Sequence, residues 1–151
     1  MHIIVESPDQ PEVAELIAEL DAYQSSLYPP ESTHFLDLVS LKRPNVLFVV
    51  ARDAEHRAVG CGAIVLHPEY GELKRMYVHP RGRGKGVAKA MLTMLESKAT
   101  ATGCKLLRLE TGPLQPEALG LYARSGFERC GPFGEYWNDP LSVFMEKRIS
   151  A

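Results

Sequence analysis

Three glycines alternate with two cations in Gly82-Arg83-Gly84-Lys85-Gly86, and the chain then enters a segment apolar at helical spacing, Val87, Met91 and Leu95. The first N–H groups of a helix have no intrahelical partner and its dipole favours an anion, so glycines there let phosphate oxygens reach bare backbone. With Arg83 and Lys85 adding positive charge, the loop reads as a pyrophosphate cradle between a strand and a helix. Two common phosphate motifs do not fit it. Walker A needs Gly where His79 stands and Ser or Thr where Gly86 stands. The dinucleotide GxGxxG puts its third glycine on Val87 or on Lys89. What remains is R-x-x-G-x-A across Arg83, Gly86 and Ala88.

Other reactive residue types are present in patterns that point to less. His2, His34, His56, His67 and His79 show neither HxxxH nor HExxH spacing, so no metal is expected. Cys61, Cys104 and Cys130 are an odd number at wide spacing, which suits free thiols rather than a disulfide framework. Cys104 and Cys130 lie beside strands without a histidine at motif spacing, so a covalent nucleophile is not implied.

The elements that must hold these residues follow from hydrophobic period. Ile3 to Glu6 reads as a strand, and Pro11 opens a helix carrying Val13, Leu16, Ile17 and Leu20. Tyr23 to Pro30 reads as a loop, and a second helix around Phe35, Leu38, Val39 and Leu41 is expected to start at Ser32 or Thr33. Val46–Ala51, Ala58–Leu66 and Glu72–Val78 read as an antiparallel meander. The helix after the glycine loop ends at Gly103, and Leu106–Thr111 returns to strand. Pro116 suits the first position of a helix whose inner face is Ala118, Leu119, Leu121 and Tyr122 and which Gly126 caps. Phe127–Cys130 and Leu141–Ile149 supply late strands around the loop 131–140. The order βααβββαβαββ describes an α+β fold with a mixed sheet.

Composition narrows the class. The 151 residues, 45% hydrophobic and 24% charged, suit one globular domain over 1–151, and no segment approaches the ~20 apolar residues of a membrane span. Met1–Glu6 lacks the pattern of a signal peptide, so a cytoplasmic location is expected. A net charge of -2 gives no global attraction to nucleic acid. The local basic stretch of Lys74, Arg75, Arg81, Arg83, Lys85 and Lys89 suits a small anionic ligand instead.

On its R-x-x-G-x-A element the chain resembles the GNAT superfamily of acetyl-CoA-dependent N-acetyltransferases. Glu72-Leu73-Lys74-Arg75-Met76-Tyr77-Val78-His79-Pro80 looks like that family's strand ahead of the loop. Leu119-Gly120-Leu121-Tyr122-Ala123-Arg124-Ser125-Gly126-Phe127 looks like its LYxxxGF segment. The resemblance implies a GNAT-like, mostly antiparallel sheet of about six to seven strands flanked by about four helices. It implies acetyl-CoA as acyl donor, with backbone groups of Met76, Tyr77 and Val78 on the pantetheine arm. Arg83, Gly84, Lys85, Gly86, Val87 and Ala88 would hold the pyrophosphate. Gln115 stands near the position where the family usually carries an Asn on CoA.

The resemblance also assigns chemistry. Tyr122 would protonate the departing CoA thiolate, its phenol being neutral at pH 7, though a core role for the ring is the competing reading. Glu72 would take the amine proton through ordered water, with Glu110 or water itself as the other candidate base. The acceptor is expected to be a primary amine of a small molecule such as an amino acid, polyamine or amino-bearing drug, with a protein acceptor as the other case. Its pocket is expected to draw on Tyr23 to His34 and on Phe133 to Asp139, where Glu135 and Asp139 could hold an ammonium and Tyr28, Tyr136 and Trp137 could equally cover the core. A homodimer is favoured by resemblance, and a CoA-binding sensor without transfer activity is the alternative function.

Overall fold

The computed structural model describes residues 1–149. A seven-stranded sheet runs in the order β1-β2-β3-β4-β5-β7-β6. Its strands are β1 (His2–Val5), β2 (Val46–Arg52), β3 (Ala58–Leu66), β4 (Gly71–Val78), β5 (Leu106–Thr111), β6 (Glu128–Cys130) and β7 (Val143–Arg148). Every neighbouring pair is antiparallel except β4 and β5. The helices are α1 (Pro11–Leu27), α2 (Leu38–Leu41), α3 (Val87–Ala101) and α4 (Pro116–Arg124). The mostly antiparallel sheet and its helices agree with the fold expected from the sequence. No helix among the described residues is long and apolar enough to cross a membrane.

Alternation along the strands divides the core in two. On β2, Val49 and Ala51 face one side with Met91, Leu92 and Leu95 of α3, while Phe48 and Val50 face the other with Val13 and Leu16 of α1. Burial of such aliphatic side chains contributes about 1.5–3 kcal/mol each, so both faces clamp the sheet rather than one.

Two expectations are corrected in the first half. The residues read as a loop from Tyr23 are helical as far as Leu27, because Tyr23-Gln24-Ser25-Ser26 contains no breaker and Pro29 is the first residue that stops the helix. The helix expected from Ser32 or Thr33 is instead a 3-10 turn over Pro30–Ser32, then extended chain, then α2. Ser32 does not cap, because its hydroxyl donates to Asp139 Oδ2 at 2.5 Å across the molecule. Asp37 caps α2 instead, its Oδ1 accepting from the Ser40 N–H at 2.8 Å.

The site depends on a defect in β4. Cys61 pairs with Tyr77 and Ala63 with Lys74, so β3 has one residue between those pairs, Gly62, where β4 has two, Arg75 and Met76. Arg75 takes a left-handed backbone, φ 58°. Pairing between β4 and β5 covers only Gly71–Leu107, Glu72–Arg108 and Leu73–Leu109. Beyond Leu73 the two strands part.

Candidate active site

The fork between β4 and β5 holds a cavity of about 90 Å³, with Leu73 to Met76 on one arm and Leu109 to Gly112 on the other. Gln115, Ala118 and Tyr122 close it from α4, and Gln24, Tyr28 and residues 32 to 35 from the α1 side. Because β4 has no ladder partner on this side after Leu73, the edge that carries Met76, Tyr77 and Val78 can accept an amide-bearing chain as an added strand.

The glycine loop lies just past that edge. Gly84 and Gly86 have φ of 76° and 75°, conformations a side chain would strain. Gly86 caps α3 without a side-chain oxygen. The first helical N–H to find an acceptor is that of Ala90, on Gly86 O at 3.0 Å. Among the described residues, the N–H groups of residues 84 to 89 meet no acceptor, which leaves a row of bare donors at a helix start. Arg83 and Lys85 flank the row, with Arg83 Nε on Val78 O at 3.1 Å and Lys85 Nζ on Arg81 O at 3.1 Å. Lys74 and Arg75 do not join this basic group: Lys74 Nζ donates to His34 O at 3.0 Å and Arg75 Nε to Leu36 O at 3.1 Å.

Tyr122 lies on the face of α4 toward the core, 7% exposed, its ring edge-on to Phe127 at 5.8 Å. Burial raises its phenol, so it stays protonated at neutral pH. Its hydroxyl makes no hydrogen bond within the described residues, although the ring is core and also lines the cavity. Both readings of Tyr122 are therefore compatible with its position.

The two candidate bases separate. Glu110 lines the cavity, accepts from Ser142 Oγ at 2.8 Å, and is pushed up to about 7, chiefly by burial, with the Ser142 hydrogen bond and Lys74 opposing. Glu72 sits at the closed end of the fork, outside the residues that line the cavity. There it accepts from the Tyr136 hydroxyl and lies 3.5 Å from Lys74 Nζ. Lys74 in turn donates to Tyr136 Oη at 2.6 Å and to His34 O at 3.0 Å. Burial, then Lys74, lowers His34, whose ring stands edge-on to Tyr136 at 4.9 Å.

Of the residues expected at the acceptor, Asp139 is buried and already accepts from Ser32 and from the Leu141 N–H at 2.8 Å. It fastens the 131–142 loop to the 3-10 turn. Glu135 and Trp137 are exposed, whereas Tyr28 is buried and accepts the Leu114 N–H at 3.1 Å. Gly112 makes that approach feasible, because a Cβ there would lie 1.7 Å from the Tyr28 hydroxyl. Ser142, Asp21 and Tyr136 have partners in or beside the site that the sequence did not disclose. Their partners are 32, 54 and 64 residues away, beyond any local pattern. Among the described residues no cluster of three or more His, Cys, Asp or Glu could hold a metal ion.

Comparison with known proteins adds to this geometry. The sequence model described as "Acetyltransferase (GNAT) family" matches residues 13–127. An IAA acetyltransferase of Azospirillum brasilense is 49% identical over 146 residues, 95% of this chain and 95% of that protein. The crystal structure of a provisionally named acyl-CoA N-acyltransferase from Klebsiella pneumoniae superposes with a TM-score of 0.85 at 41% identity. It covers 97% of this chain and 96% of that one. The PaiA N-acetyltransferase of Thermoplasma acidophilum, solved with coenzyme A, shares the fold alone: TM-score 0.73, 19% identity, 99% and 100% covered.

Proposed function

The chain belongs to the GNAT acetyltransferase family and is an acyltransferase; from that premise we propose that it moves an acetyl group from acetyl-CoA to a primary amine of a small molecule, by direct transfer in a ternary complex. One observation carries the proposal: an open strand edge, a row of unpartnered N–H groups and a cavity holding both a neutral phenol and a carboxyl poised near pH 7 are contiguous. The donor arm is β4 with the glycine loop, and the acceptor arm is β5 with residues 32 to 35. Similarity to an IAA acetyltransferase supports a small-molecule acceptor, and an acyl-CoA N-acyltransferase at 41% identity supports the donor. A reaction fed by acetyl-CoA also suits the cytoplasm.

In this reading the amine loses its proton to Glu110, directly or through water, and its lone pair attacks the thioester carbonyl. The tetrahedral adduct collapses with loss of its second N–H proton, the C–S bond breaks, and Tyr122 gives its proton to the departing thiolate and is reprotonated, through water, by the proton released from nitrogen. Glu110 is preferred to Glu72 because it lines the cavity, whereas Glu72 is held by Tyr136 and keeps that ring and Lys74 in place. No covalent acyl-enzyme is needed, since Cys61 is buried and its thiol is pushed up to about 12 by burial.

The test is thiol release from acetyl-CoA in the presence of phenylalanine, tyramine, spermidine or kanamycin, with the product identified by mass. At least one amine should accelerate release and appear N-acetylated. CoA binding with no amine-dependent release from any of them would return the chain to the sensor reading.

A further inference from the structure

Lys74 and Arg75 are adjacent in a strand, where neighbouring side chains ordinarily point to opposite faces. Here both reach the same segment. Lys74 Nζ donates to His34 O at 3.0 Å and Arg75 Nε to Leu36 O at 3.1 Å. The bulge causes this: Leu73 and Met76 pack on the α3 face and Tyr77 on the α1 face, so both residues between Leu73 and Met76 face α1. Arg75 adopts its left-handed backbone while only 9% exposed, and for an arginine that conformation persists only where its surroundings enforce it. The surroundings are specific. Its Nη1 and Nη2 engage the Asp21 carboxylate of α1, the second at 3.3 Å, and its guanidinium lies 5.1 Å from the centre of the Phe35 ring.

We infer that Asp21 and Arg75 form a positioning clasp that holds residues 34 to 36, the end of the acceptor wall and the residue after it, against the α1 face of β4 at its bulge. Neither residue touches the reacting atoms in this scheme. Arg75 acts through the backbone on both sides of it: its φ turns Met76 to the face opposite Arg75, and its side chain fixes Leu36 and α1. Asp21 acts through Arg75. The clasp joins the two arms on which donor and acceptor sit, so its loss leaves each arm folded but changes their mutual placement. Placement of that kind is worth large factors in rate, about a hundredfold for a displacement of about 1 Å.

The inference rests on the transfer reading above, and the experiment separates the two. Three variants are compared with the wild-type chain: Asp21→Asn, Asp21→Glu and Arg75→Gly. Glycine takes a positive φ without strain, so Arg75→Gly keeps the bulge and removes only the guanidinium. Acetyl-CoA affinity is measured by calorimetry, hydrogen exchange is followed at residues 33 to 37, and steady-state thiol release uses the panel amine most active with the wild type. Asp21→Asn and Arg75→Gly should keep acetyl-CoA affinity within about twofold, speed exchange at 33 to 37, and lower kcat/KM for the amine at least about tenfold. Asp21→Glu should recover most of that loss. Unchanged exchange at 33 to 37 in both variants, or Arg75→Gly with kcat/KM within twofold of wild type, overturns the clasp. A wild-type chain that acetylates none of the amines overturns the transfer reading instead, while the exchange measurement still decides whether the clasp exists.

Discussion

Tyr122 joins a buried ring to a hydroxyl without a partner among the described residues, and those two parts of the side chain separate its structural and catalytic roles. Tyr122→Phe keeps the ring against Phe127, so the fold and acetyl-CoA affinity should be retained. If the hydroxyl delivers the proton to the thiolate, kcat should fall by roughly 10²-fold, at the lower end for a lost general acid. Thiol release with a saturating amine measures this, and unchanged turnover would leave Tyr122 with packing alone. Glu110 gives a second test through pH. Burial raises it from 4.5 to about 7, so in that window the folded chain holds the proton more tightly than the unfolded chain does. Its stabilising contribution is fully present below the lower value and is lost as pH rises through the upper one. Glu110→Gln cannot ionise, so its melting temperature relative to wild type should climb between about pH 4.5 and about pH 7 and level off above that. The wild-type chain should show a rise in kcat up to about pH 7 that this variant lacks, and a variant that keeps the rise would point to another base.

At the scale of elements, the glycine loop and the fork behave differently under substitution. A side-chain carbon at Gly86 would meet nothing within 4 Å, and Asp is among the residues that tolerate a left-handed backbone. Gly86→Asp should therefore fold, yet set a carboxylate where an anion must approach bare N–H groups. Its affinity for acetyl-CoA, read by calorimetry, should drop below detection; a folded variant that still binds would move the cradle elsewhere. Gly112→Ala is the contrary case, since the added carbon collides with Tyr28, which must leave the Leu114 N–H. That variant should lose stability, about 1–3 kcal/mol by chemical denaturation, as overpacked sites do. The different legibility of the two elements has a physical reason. The glycine loop was legible because cradle, charge and helix start are contiguous in sequence. The bulge was not, because Leu73-Lys74-Arg75-Met76-Tyr77 has the composition of an ordinary strand; only two successive cations hinted that alternation fails there. The start of α2 is not legible because Ser32 resembles a cap locally and is claimed by Asp139, 107 residues away.

For the whole molecule, binding sites on both arms exist only when the sheet is formed. The bare N–H row at residues 84 to 89 requires the start of α3, and the open edge of β4 requires β5 to diverge beyond Leu73–Leu109. An unfolded chain has neither, so acetyl-CoA should bind the folded state alone and shift the folding equilibrium by mass action. At a hundredfold excess over its dissociation constant the gain is about 2.7 kcal/mol. For a chain of this length that corresponds to a melting temperature raised by about 5–10 °C. Because the cradle holds the pyrophosphate rather than the acetyl group, CoA without acetyl should give much of the same rise, whereas Gly86→Asp should give none with either. Differential scanning calorimetry with acetyl-CoA, CoA and no ligand compares these cases directly. A wild-type melting curve unmoved by millimolar acetyl-CoA would remove the donor assignment, and with it the reading of the fork as a transfer site.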